Sequence, residues 1–160
     1  MLSPEQRDFA QAALTDLVPA VGFIRKPENW IIDVRSNTGY GDDDRATAFC
    51  AIGALDRAIS KRTGLRGPNA IMACADSAAV QALQAEIPDD FTLRHSMPAA
   101  TVAYYNNRVD HATVVAWFDR TIANLRSQLR VDDLERGAME TAALDSSAAG
   151  LVKEPSLLAR

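Results

Sequence analysis

The chain has 160 residues, 48% of them apolar, with 17 Lys and Arg against 21 Asp and Glu for a formal net charge of -4. That length and composition suit one domain with a sizeable core. The acidic balance argues against nucleic acid as a partner, because phosphate binding needs a basic face, and no run approaches the roughly 18 consecutive apolar residues of a membrane span.

The opening stretch "MLSPEQRDFAQAAL" carries charges early and has no basic n-region, so it does not read as a secretory signal, and a cytoplasmic location is expected. Ser3, Pro4 and Gln6 form a capping box with proline in the first turn. Phe9, Ala13, Leu17 and Val21 then recur every four residues, predicting a first helix that Gly22 ends.

"WIIDV" (30–34) is short, apolar and partly β-branched, and reads as an extended segment. "SNTGYGDDD" is a loop, and Asp43 or Asp44 is expected to cap the helix after it. Its acidic spacing is not the alternating oxygen pattern of a calcium loop, so no metal is predicted there.

The second helix is predicted over 45–62, with Ala48, Ile52, Leu55 and Ile59 on its main stripe and Gly64 as its stop. This places Cys50 in mid-helix, sharing a face of very small side chains with Gly53 and Ala54. Small residues let another backbone approach closely, so Cys50 is expected to be buried there against another helix, with Gly53 at the closest approach. Lys61, Arg62 and Arg66 read as a solvated helix C-terminus, where cations suit the dipole.

Residues 67–88 predict one helix interrupted near Asp76-Ser77, or two short ones, with Ser77 capping a stretch that aligns Val80, Leu83 and Ile87. A further helix starts after Ser96 and breaks at Asn106, Asn107 and Arg108. The last clear helix runs from His111 or Ala112 to about Arg130, with Asp110 or His111 as its cap. Val115, Phe118, Ile122, Leu125 and Leu129 give it a heptad-like seam, read as the core-facing side of a bundle helix.

The expected fold is therefore mainly α: a compact bundle of four to five helices with a short extended segment near 30–34. Residues 1–130 form a single helical domain. The Ala-rich segment 131–160 is expected to dock, on the body or on a second copy in a homodimer, through Leu144, Leu151, Val152, Leu157 and Leu158.

"FCAIGALDRAI" (49–59), "YYNNRVDHATVVAWFDRTI" (104–122) and "NWIIDV" (29–34) resemble the family catalogued as domain of unknown function 6197, whose members are small bacterial proteins with looser versions in phages. The resemblance spans about residues 5–130. It implies a fold and no activity. Asn107 stands where that family usually has Asp. An amide cannot replace the charge of a base or metal ligand, so this departure counts against the most enzymatic reading.

Two functions from different classes fit these residues. One is a small binding or interaction module for a protein partner or a second copy, with a polar pocket of Arg57, Asn106, Asn107 and Asp110. The other is a hydrolase using Cys50 with His95 or His111 and an orienting Asn106 or Asp110. A buried mid-helix thiol is inert, which favours the module. Zinc held by Cys50, Cys74, His95 and His111 lacks the close ligand spacing of structural sites. With no P-loop and no Gly-x-Gly-x-x-Gly, no cofactor is predicted.

Overall fold

A computed structural model describes residues 1–91 and 96–150, the side chains of 145–150 excepted. The fold is mainly α. Among the described residues six helices follow in order: α1 (Pro4–Ile24), α2 (Ala51–Thr63), α3 (Pro68–Ala75), α4 (Ala78–Ala85), α5 (Pro98–Asn106) and α6 (His111–Gly150), with one 3-10 turn at Pro27–Asn29. This is slightly more than the four to five helices expected, because the interruption at Asp76-Ser77 separates α3 from α4.

Local signals set most of the helix starts. Ser3 accepts from the Gln6 N–H, and the Gln6 side chain accepts from the Ser3 N–H, completing the capping box. Ser77 accepts from the Val80 N–H at α4. Asp110 accepts from the Thr113 N–H at 2.8 Å, so the aspartate is the cap of α6. α1 runs two residues past Gly22 to Ile24. The Ile24 side chain is fully buried. Its carbonyl, one of the unpaired groups of a helix end, bonds His111 Nε2 at 2.7 Å.

α1 packs against α2, α4 and α6, while α2 also meets α3 and α5. Leu17 and Ile24 of α1, Leu55 and Ile59 of α2, Val80 and Leu83 of α4 and Val102 of α5 fill the centre. Val114, Trp117 and Phe118 of α6 close it. Tyr105 meets Trp117 edge-on at 4.9 Å, and the Trp117 indole N–H bonds the Leu83 carbonyl. The seam read from the sequence faces this body: Phe118, Ile122 and Leu125 are buried, and Val115 and Leu129 pack partly buried against them.

α6 does not stop near Arg130 but continues to Gly150. Good helix formers follow Arg130, and a buried Asp132 ties the extension to the N-terminus. Asp132 accepts from the Leu2 N–H, Arg7 and Arg136. Val131, Leu134, Met139 and Leu144 are exposed on this extension. The other expected anchors, Leu151, Val152, Leu157 and Leu158, lie outside the described residues.

The extended segment survives only as two isolated bridges, Trp30 parallel and Ser36 antiparallel to Phe49. Among the described residues there is no strand. Segment 29–37 instead wraps residues 48–50. Phe49 N–H bonds the Asn29 carbonyl at 2.9 Å, Cys50 N–H the Arg35 carbonyl at 3.1 Å and Asn37 N–H the Ala48 carbonyl at 3.0 Å.

Candidate functional site

That wrap corrects the predicted start of α2. The helix begins at Ala51, with Cys50 as its N-cap rather than in mid-helix. Residues 47 and 48 cannot join the helix because their N–H groups bond the Asn37 side chain. Asp43 and Asp44 consequently cap nothing. Asp43 bonds the backbone and guanidinium of Arg45, and Asp44 pairs with Arg57 and Arg66.

Cys50 Sγ accepts from the Gly53 N–H at 3.4 Å, a weak version of the oxygen cap. Burial pushes its thiol up from the ordinary range; the N–H groups of Gly53 and Ile52 and the nearby Arg35 charge pull the other way but do not cancel it. Cys50 thus occupies a position common for reactive cysteines and stays a protonated, weakly reactive thiol at neutral pH.

Asn106, fully buried, holds the start of α2 from the opposite side. Its Oδ1 accepts from the Ala51 N–H at 3.1 Å and from Trp30 Nε1 at 2.9 Å. Its amide donates to the Ile31 carbonyl and to Asn107 Oδ1. Asn107 in turn accepts from the Asp33 N–H at 3.1 Å and donates to Asp33 Oδ1 at 3.0 Å. This reciprocal pair holds Asp33 at φ 66°, a left-handed conformation that Asp tolerates better than most residues.

These contacts shape one wall of a cleft of about 300 Å³. Asp33, Val34 and Arg35 line it together with Cys50 and Ile52, and Asn107 adds an amide. Ile71, Met72 and Ala75 of α3 and Met97, Ala99, Ala100 and Ala103 at α5 form the sides. Val34, Met72 and Met97 are 50%, 61% and 61% exposed, so apolar side chains meet solvent at the rim beside the exposed Asp33. A wider groove of about 460 Å³ lies between the N-terminus and α6. Its floor is the Asp132 contact described above, which marks it as a packing seam.

Arg35 is pinned from behind by an ion pair with Asp56, whose side chain is 2% exposed. Among the described residues Asp56 Oδ1 has no hydrogen-bond partner. Burial pushes the Asp56 carboxyl above the usual range, and Arg35 offsets this only in part. Burial, then the Asp56 charge, raise the Cys74 thiol well above its ordinary value. Both cysteines are buried and free.

Of the residues expected to form one polar pocket, Asn106 and Asn107 bond each other, while Arg57 and Asp110 are engaged elsewhere. Arg57 turns to the acidic loop, bonding the Asp42 carbonyl and Asp44. Asn106 is structural, Asp110 caps α6, and only Asn107 lines the cleft. His111 is bonded to the Ile24 carbonyl and packs its ring 5.6 Å from Trp30, and it is not a cleft residue. His95 lies outside the described residues. Among the described residues no group of three or more His, Cys, Asp or Glu is placed to hold a metal ion, and no helix is long and apolar enough to cross a membrane.

Sequence reasoning missed the rest of the cleft, which is assembled from four segments. One signal was present: α5 carries Ala99, Ala100 and Ala103 on one side, spaced to leave a helix face without bulk.

Residues 6–124 match the family of unknown function DUF6197, and the chain belongs to that family. No curated protein and no solved structure matches it.

Proposed function

We propose that this member of a family of unknown function is a small helical binding module whose cleft between Asp33–Arg35, α2, α3 and α5 receives an apolar group of a ligand or partner. The observation that carries the reading is the cleft itself, alanine-walled and rimmed by exposed Val34, Met72 and Met97. Concave, mostly apolar sites with a few convergent polar groups are the usual form of a ligand pocket. Exposed methionines suit such a rim, since a flexible, polarizable side chain adapts to what it meets. In this reading the module works in the cytoplasm with both thiols reduced. A cysteine hydrolase is the weaker alternative, because burial keeps Cys50 protonated.

Methyl-labelled methionine tests this. Titration with hexan-1-ol should move the Met72 and Met97 signals saturably and leave Met139, remote on α6, in place. Unmoved Met72 and Met97 signals at millimolar probe would refute the module.

A further inference from the structure

The cleft's polar end carries a more specific message, which rests on the binding reading above. We infer that the cleft selects a neutral amide on a short aliphatic chain, with the amide carbonyl at Arg35 and the amide N–H at Asp33.

Three observations support this. The first is the balance of donors and acceptors. Arg35 donates through Nη1 to Asp56, while its Nε and Nη2 have no hydrogen-bond partner among the described residues. Asp33 Oδ1 accepts from Asn107, and Oδ2 has no partner among the described residues. A guanidinium only donates and a carboxylate only accepts. A ligand head that satisfies both must offer an acceptor and a donor, as an amide does.

The second is charge. Among the described residues the cleft is lined by one cation, Arg35, and one anion, Asp33, with Asp56 behind the arginine. A ligand carboxylate would gain Arg35 but face Asp33. A ligand ammonium would gain Asp33 but face Arg35. Each would also surrender the hydration of a full charge, whereas an amide surrenders much less.

The third is size. About 300 Å³ is the small end of the range for ligand sites. Ala75, Ala99, Ala100 and Ala103 leave a slot, and Ile52 and Ile71 give it apolar contact, so the tail is short and aliphatic.

The test uses the full chain and matched probes: hexanamide, hexanoate and hexylamine at neutral pH, followed through the Met72 and Met97 methyl signals. Hexanamide should bind about tenfold more tightly than either ion, because sites built to hydrogen-bond a group discriminate by at least that factor. N-acetyl-leucine methylamide separates the sources: tighter binding than hexanamide points to a peptide segment, weaker binding to a free amide, and either supports the proposal. Asp33→Asn, whose new side chain tolerates the same backbone conformation, should move the preference towards hexanoate by several-fold. Equal binding of all three probes, a preference for either ion, or an unchanged ratio in Asp33→Asn overturns the amide inference while leaving an apolar cleft. No binding by any probe, with hexan-1-ol also silent, overturns both.

Discussion

A Cβ on Gly53 would stand 1.6 Å from the carbonyl oxygen of Arg35. The same carbonyl accepts the Cys50 N–H, so the backbone of the 29–37 segment is fastened to α2 where Gly53 lets it touch. Gly41 completes the contact, since a Cβ there would lie 2.5 Å from the Gly53 carbonyl. The small-residue face read from the sequence was therefore real, but a loop rather than a helix rests on it.

Gly53→Ala should be damaging although it adds one carbon. Overpacking costs about 1–3 kcal/mol where side chains can yield, and here backbone meets backbone. A drop in melting temperature of at least about 5 °C is expected, with faster alkylation of Cys50 as the loop lifts away. A melting curve matching the unsubstituted protein would show that the approach is looser than the geometry states.

Asn106→Ala should also destabilise, by about 2–4 kcal/mol. It leaves the buried Ala51 N–H and the Trp30 indole N–H without their shared acceptor, and each orphaned donor costs about 1–3 kcal/mol. Asn106 does not line the cleft but holds the residues that do, so any loss of probe binding should accompany the loss of stability. Lost binding with an unaltered melting temperature would make Asn106 a ligand contact instead.

These two residues show what the sequence could and could not disclose. Ser3, Ser77 and Asp110 announced their helices because a cap is a local hydrogen bond, satisfied within three residues. The start of α2 was hidden because the apolar pattern continues upstream: Ala46, Ala48 and Phe49 are buried like helix residues. Ala48, Phe49 and Cys50 are held extended by Asn37, Asn29 and Arg35, partners many positions upstream that no periodicity reveals. The partners of Arg57 are hidden for the same reason, since the loop that holds it folds over α2 from residues 42–44. The cleft needed all of these placements at once.

The buried Arg35–Asp56 pair sets one pH dependence. Burial raises the folded-state Asp56 carboxyl above its ordinary value of 3.8. A raised carboxylate favours the protonated form in the fold, so its stabilising contribution is present below the unfolded value and is lost as pH rises through the folded one. Relative to Asp56→Asn, the native protein should lose stability as pH is raised from about 4 towards neutrality. Denaturant melts of both proteins across that range check it. A constant difference would mean that Arg35 fully compensates the burial.

Asp132 runs in the opposite direction. Burial pushes its carboxyl up, but hydrogen bonds from Arg136, the Leu2 N–H and Arg7 outweigh this and hold it at about 2. A depressed carboxylate stabilises above its unfolded value of 3.8, and the contribution disappears as pH falls through the folded one. Asp132→Asn should therefore be less stable than the native protein at pH 6, with the gap closing between pH 4 and pH 2. Removing the charge also frees Arg7 and Arg136 from the residue that joins the N-terminus to α6, so hydrogen exchange should quicken in the first turn of α1 before it does at Leu17 or Leu55. Parallel melts of the two proteins at pH 6, 4, 3 and 2, with exchange measured at pH 6, decide the matter. A gap that persists at pH 2 would show that the asparagine acts through packing rather than charge, and exchange that quickens equally throughout would show that the contact supports the whole fold rather than one end of it.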